Sequence, residues 1–343
     1  MKKFVLLAAG AAIASTGAAF ADGHSATLAD TVARGTVKCG VNLGVPGFAE
    51  QAADGSWSGL DVDVCKGIAA AIFGDTSKVE YTPVNSSERF EKLAAGDYDV
   101  LARNTTWTFS RDVDLQMTFH GVNYYDGQGF MVPAALGVSS ATELDGAKVC
   151  VQVGTTTELN LADFFADNGM SYEPVNVSTA SETNDAYLAG QCDVYTTDAS
   201  GLAANRTTFP DPSAHVILPE IISKEPLGPV TRHGDEVWGD IVGWTLNAMI
   251  NAEEMGITSA NAAAVAADSE SPVGALRLLG ATDDGYGAML GLSDDAFFNV
   301  ISLVGNYGES FERNIGVNTP VNLARGLNAL WTDGGILYAP PFR

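Results

Sequence analysis

Three short stretches carry side chains able to grip a small charged molecule. The first runs from Asn104 through Thr106 to Arg111. The planar guanidinium fork of Arg111 matches a carboxylate, but Arg111 can equally pair with Asp112 or Asp114 at the surface. The second is Gly154-Thr155-Thr156-Thr157, followed by Glu158. Thr155 and Glu158 fit a capping box, so this stretch reads as the start of a helix. Open amides at a helix start attract an anion, and glycine lets the backbone come close; a plain helix cap is the alternative. The third is Asp198, which can face an ammonium group or cap a helix beginning at Ala199.

The elements that hold these residues alternate between strand and helix. The β-rich run Thr36–Val41 leads to a helix from Leu60 to Phe73, with Leu60, Val64, Ile68 and Ile72 at helical spacing and Gly74 as its stop. A strand over 79–84, a helix over 86–95 ending at Gly96, and a strand from Asp99 complete one series. A second series has strands over 148–153, 172–177, 193–196 and 215–219, with helices over 158–166 and 183–190. This alternation implies α/β lobes, each a mostly parallel sheet flanked by helices.

The two series echo each other. Leu93-Ala-Ala-Gly-Asp-Tyr-Asp99-Val100 parallels Leu188-Ala-Gly-Gln-Cys-Asp193-Val194. Asn104 follows Asp99 by the same interval as Asp198 follows Asp193, which places both at the carboxyl ends of matching strands. Ligands of open α/β sheets bind there. Phe130-Met-Val132 and Glu225–Pro229 read as two crossings between lobes. Lobe 1 is then expected over 22–129 and 229–343, and lobe 2 over 130–228. The last part includes a helix over 237–255, an Ala-, Asp- and Ser-rich helical insertion over about 256–300, and a C-terminal extension.

Chain-wide properties fix the setting. Lys2 and Lys3, the apolar run from Phe4 to about Phe20, and Ala19-Phe20-Ala21 before Asp22 form the pattern of an export leader, residues 1–21, cleaved after Ala21. The formal charge is -24, with 42 acidic against 18 basic residues. So acidic a surface argues against a nucleic-acid binder and against docking on anionic lipid. The four cysteines, Cys39, Cys65, Cys150 and Cys192, contain no CxxC pair and allow three pairings. Pairing Cys39 with Cys65 and Cys150 with Cys192 puts one bridge in each lobe, contributing about 3–4 kcal/mol apiece; free buried thiols are the alternative.

Enzyme patterns are missing. The sequence has no GxSxG, SxxK, HExxH, GxGxxG or GxxxxGK[ST]. His24, His120, His215 and His233 lack metal-ligand spacing, and Asp61-Val-Asp63 lacks the Gly and Glu of a calcium loop. No cofactor or metal is expected.

Several longer segments resemble the type II periplasmic solute-binding proteins of ABC amino-acid importers. They include Gly59–Val64, Arg103–Asp112, Tyr125–Phe130, Val151–Asn160, Cys192–Gly201, Ile222–Gly228 and Asn306–Asn314. The insertion and the tail resemble the general L-amino-acid-binding branch of Gram-negative bacteria. The resemblance implies a two-lobed fold of that type, with two hinge crossings and an interlobe cleft that closes on one free L-amino acid. It implies that Arg111 clamps the α-carboxylate with Thr106 and Asn104, and that Gly154, Thr155 and Thr156 add a second carboxylate contact. Asp198 then meets the α-ammonium, and Ser86 and Arg89 line the side-chain end. Arg89 can instead be an exposed helical residue paired with Glu88 or Glu91. Val45, Phe48 and Trp107 are candidates for an apolar wall or for core packing. An acidic or amide side chain would want a further cation, Arg89 or Arg103. The implied partners are the amino acid and the membrane permease of an ABC importer, with the protein a monomer in the periplasm. The rival is an exported enzyme on the same fold, such as a small-acid dehydratase, which would need a further acid or base in the cleft.

Overall fold

The computed structural model describes residues 25–283 and 285–343. The leader stretch and its cleavage position lie outside the described residues.

Helix α1 (Ala26–Arg34), capped by Ser25, precedes strand β1 (Val37–Val41) and a small hairpin of β2 (Glu50–Gln51) and β3 (Trp57–Ser58). Helix α2 (Leu60–Phe73) follows, then β4 (Val79–Pro83), α3 (Arg89–Ala95) and β5 (Val100–Leu101). A π-helical turn (Ser110–Asp114) leads into β6 (Met117–Phe119). Helix α3 starts three residues later than the sequence pattern indicates, because Ser86 leaves the helical path to bond Val153 O at 2.7 Å.

The chain then runs through β7 (Tyr124–Asp126), β8 (Gln128–Pro133), β9 (Ala147–Gln152), α4 (Thr156–Asp167), β10 (Tyr172–Val177), α5 (Ala180–Leu188), β11 (Val194–Asp198), α6 (Ala199–Arg206) and β12 (His215–Ile217). It returns through β13 (Glu225–Leu227) and β14 (Val230–Arg232) to the long helix α7 (Glu236–Glu254). Among the described residues five further α-helices follow: α8 (Ala262–Ala267), α9 (Val273–Leu278), α10 (Tyr286–Met289), α11 (Ala296–Leu303) and α12 (Tyr307–Asn314).

Two five-stranded sheets have one topology. The first is ordered β4-β1-β5-β14-β6 and the second β10-β9-β11-β8-β12. In each, the second strand is parallel to its two neighbours and the fourth is antiparallel to both of its own. The fourth strand is the one that follows a crossing: β8 in lobe 2 and β14 in lobe 1. The crossings themselves pair as β7 with β13, Tyr124 opposite Leu227 and Asp126 opposite Glu225. Phe130–Val132, read above as the first crossing, therefore lies inside the lobe 2 sheet. Its apolar run is buried on both faces, the pattern of a central strand.

Both disulfides form as expected, Cys39–Cys65 with Cα atoms 6.3 Å apart and Cys150–Cys192 with 5.6 Å. Cys39 and Cys150 occupy matching places on the central strands: Cys39 lies opposite Tyr81 and Val100, Cys150 opposite Val175 and Tyr195. The lobe 1 core joins Val37, Val41 and Val100 to Val62 and Ile68 of α2 and Ile241 of α7. Lobe 2 buries Phe130, Val149, Leu161, Phe165 and Val194 on one face of its sheet. The insertion extends the first core, since Leu278, Phe297 and Ile301 pack with Met249 and Ile250 of α7. Phe342 of the tail seals it, edge-on to Trp244, Tyr286 and Phe297. Fully burying each such side chain contributes about 1.5–3 kcal/mol, so insertion and tail are structural parts of lobe 1.

Candidate functional site

The carboxyl ends of β5 and β11 meet across the space between the lobes. Asn104, beyond β5, and Asp198, at the end of β11, both line one cavity of about 50 Å³. Asn104 adopts a left-handed φ of 42°, which asparagine tolerates better than most residues. Its amide donates to Asp61 Oδ2 at 2.8 Å, while Asp61 Oδ1 accepts from Asn123 Nδ2 at 2.9 Å. Burial lifts Asp61 to about 6, against those hydrogen bonds, which favour its charged form.

The lobes are closed on this cavity. Ser86 Oγ donates to Val153 O at 2.7 Å, the Arg89 guanidinium reaches Gly154 O at 3.4 Å, and Thr106 and Thr156 hydroxyls lie 3.3 Å apart. Gly154 has φ 73°, and a Cβ there would stand 3.1 Å from Ser87 Cα. Glycine at this position therefore serves both its backbone angle and the approach of the opposite lobe.

Three arginines converge on the lobe 1 side: Arg89, Arg103 and Arg111, 2%, 4% and 6% exposed. Arg89 Nε is buried without a hydrogen-bond partner, and both Arg89 and Arg111 stack over Phe90 at 4.9 and 5.1 Å. Arg103 Nε donates to Val84 O at 2.9 Å, and Arg111 Nη1 to Thr106 O at 2.8 Å. Burial lowers Arg103 and Arg111 to about 10. Burial, and then repulsion from Arg111 and Arg103, pull Arg89 well below the ordinary arginine range. An anion entering the cavity relieves that cost.

Acids gather on the opposite side and at the hinge. Asp198 occupies the N-cap of α6 but makes no capping bond, leaving its carboxylate for the cavity. Burial, then repulsion from Asp126 and Glu225, push it well above the usual carboxylate range, while Arg89 and Arg111 oppose the rise. Asp126 accepts from Gly127 N at 2.8 Å and from the Ser200 hydroxyl; burial lifts it to about 6. Glu225 Oε2 accepts from Thr106 Oγ1 at 2.6 Å and Thr156 Oγ1 at 2.8 Å. Both hydroxyl protons are thus committed, and Thr106 and Thr156 offer the cavity oxygen lone pairs.

Of the residues expected from the sequence, Asn104, Thr106, Thr155, Thr156, Asp198 and Arg89 line the cavity, with Val45 and Arg103. Ser86 and Gly154 lie at the contact between lobes, and Arg111 stands behind Thr106. Arg111 is not spent on Asp112, whose carboxylate accepts from Trp107 Nε1 at 2.7 Å and lies 3.7 Å from His233. Arg89 is not paired with Glu88, which bridges Lys92 at 2.7 Å. The cap of α4 is half a capping box: Thr155 Oγ1 accepts from Glu158 N, but Glu158 turns to Gly154 N at 2.9 Å. Phe48 packs in the core, and Trp107 stacks on Phe119, centroids 5.6 Å apart, outside the cavity.

Sequence reasoning missed Asn42, Gln152, Thr183, Tyr195 and Asn205 in the lining, and the hinge acids Asp126 and Glu225. Glu225 had one visible signal, an acid set among apolar and proline residues in Glu225-Pro-Leu-Gly-Pro229.

Comparison with known proteins agrees with this two-lobed fold. Residues 37–260 match the family model of bacterial extracellular solute-binding proteins, family 3. A general L-amino acid-binding periplasmic protein of Rhizobium johnstonii is 57% identical over 100% of both chains. A glutamate/glutamine/aspartate/asparagine-binding protein of Rhodobacter capsulatus is 58% identical over 93% of this chain and 94% of its own. A solved ABC transporter/periplasmic binding protein from Brucella ovis with glutathione bound superposes with a TM-score of 0.91 at 53% identity, covering 93% of this chain and all of that one. A family model over more than half the chain, relatives matched end to end and the shared two-lobed fold leave one conclusion: this chain belongs to family 3 of the bacterial extracellular solute-binding proteins, and is a binding protein rather than an enzyme.

Proposed function

We propose that this chain captures one free L-amino acid in the interlobe cavity and delivers it to the membrane permease of an ABC importer. It works as a monomer in the periplasm, after export on the leader of residues 1–21. The observation that carries the reading is the interlobe cavity, with buried arginines on one side and Asp198 on the other. A zwitterion supplies the charge each side lacks.

Arg111 and the backbone amides of Thr155 and Thr156, at the turn that Gly154 forms, hold the α-carboxylate, with Asn104 beside them. Asp198 holds the ammonium. Thr106, expected on the carboxylate side, joins Asp198 instead, because Glu225 takes its hydroxyl proton and leaves lone pairs for N–H donors. Arg89 and Ser86 mark the side-chain end. The two lobes, expected from the sequence at 22–129 with 229–343 and at 130–228, move about the β7–β13 pair, which sets the crossings at 124–126 and 225–227. Only closure completes both sets of contacts, so ligand shifts the population toward the closed form. The names of the Rhizobium and Rhodobacter relatives support the ligand class.

A thermal-shift panel of the twenty L-amino acids tests the proposal. Ligand at a hundred times its Kd stabilises by about 2.7 kcal/mol. A panel in which no amino acid raises Tm defeats it.

A further inference from the structure

We infer that Glu225 is an interlobe latch: it sets how far the empty protein is already closed, and so scales the affinity for every ligand by one factor. The inference rests on the binding reading above.

Glu225 sits on the second hinge strand, 1% exposed, and its carboxylate accepts four hydrogen bonds. Oε2 receives the hydroxyls of Thr106 in lobe 1 and Thr156 in lobe 2, at 2.6 and 2.8 Å. Oε1 receives Asn160 Nδ2 of lobe 2 and Ser223 Oγ of the same crossing, each at 2.7 Å. None of the four donors is charged. The buried charge is therefore held by neutral donors drawn from both lobes, and no single lobe supplies the full set. Opening the cleft parts Thr106 from Thr156 and leaves a carboxylate oxygen one donor short. A buried carboxylate missing a partner is costly, which biases the empty protein toward closure.

This device differs from a ligand contact. A residue that touches the ligand's side chain changes the ranking of amino acids, whereas Glu225 changes the fraction of protein competent to bind and the field on Asp198, both shared by every amino acid; the ligand-free radius reads the first alone. Apparent Kd is the intrinsic Kd divided by that fraction, whatever the ligand. Glu225→Gln tests the difference, since an amide keeps the shape but turns one acceptor oxygen into a donor facing existing donors.

Ligand-free radius of gyration, by small-angle X-ray scattering, and calorimetric Kd for two different amino acids are compared between wild type and E225Q. The ligand-free radius should rise in E225Q, the ligand-saturated radii should agree, and both affinities should fall together by about tenfold, the factor that 1.4 kcal/mol represents. Asn160→Ala, which removes a lobe 2 donor outside the cavity lining, should shift both readouts the same way by less, and serves if E225Q does not fold. Equal ligand-free radii, or affinities that do not fall together, overturn the latch. Wild type binding no amino acid would instead defeat the capture reading, while the ligand-free radii would still decide the latch.

Discussion

Asp126 and Glu225 stand directly opposite each other on the two hinge strands, and both carboxylates act on Asp198. The crossing that lets the lobes move is thus also the source of the negative field felt by the cavity. Against it stand Arg89, Arg103 and Arg111, all buried on lobe 1. A neutral solute would leave both charge sets uncompensated. A zwitterion answers both at once.

The first prediction concerns protons. In the empty site burial and the two hinge acids hold Asp198 well above the usual carboxylate range. An ammonium beside it favours the charged form and lowers its pKa. Binding therefore releases a proton at any pH between the bound and empty values, and apparent affinity rises with pH across that window. Calorimetric titrations in two buffers of different ionisation enthalpy measure the release directly. Asp198→Asn should shrink it and weaken binding. Wild-type heats that are independent of buffer through that window contradict the account.

Arg111→Ala removes the guanidinium that donates to Thr106 O and stands beside the cavity. Loss of a buried, hydrogen-bonded charge partner costs about 2–5 kcal/mol, so affinity should fall at least tenfold for every amino acid alike. Titrations with amino acids of differing side chains check this. Loss for only some of them would mean that Arg111 reads the side chain.

Gly154→Ala acts on closure. The backbone angle of 73° strains any residue with a Cβ by about 1–2 kcal/mol, in the open form as in the closed one. The contact at 3.1 Å from Ser87 Cα exists only when the lobes meet. The variant should therefore lose a little stability and rather more affinity, with a larger radius of gyration at saturating ligand. Wild-type affinity in a folded G154A protein would show that the lobes need not approach this closely.

Much of the scaffold was legible because it rests on local patterns. Helix α2 has the bounds its spacing and Gly74 dictate, and strand β10 coincides with its β-rich run. The repeated interval from Asp99 to Asn104 and from Asp193 to Asp198 found two facing residues of the cavity, since equal intervals past matching strands reach equivalent sheet ends. The illegible part depends on residues about a hundred positions apart. Nothing near Glu225 in sequence reveals that Thr106, Thr156 and Asn160 converge on it. Nor do the adjacent acids reveal that Asp112 turns to the Trp107 indole and leaves Arg111 for the interior. Whether the Thr106 hydroxyl acts as donor or acceptor toward the cavity likewise depends on a distant residue, because its proton goes to Glu225.

The most direct test of the central claim is a calorimetric titration with one amino acid and two analogues of it. The amino acid is the one that raises Tm most; the analogues are its N-acetyl derivative, which has no ammonium, and its α-amide, which has no carboxylate. The account predicts tight binding of the free amino acid and a loss of at least a hundredfold for each analogue, about 2.7 kcal/mol or more, because each leaves one buried charge set unanswered. Analogues that bind as tightly as the parent would show that neither Asp198 nor the arginines grip the zwitterion, and would contradict it.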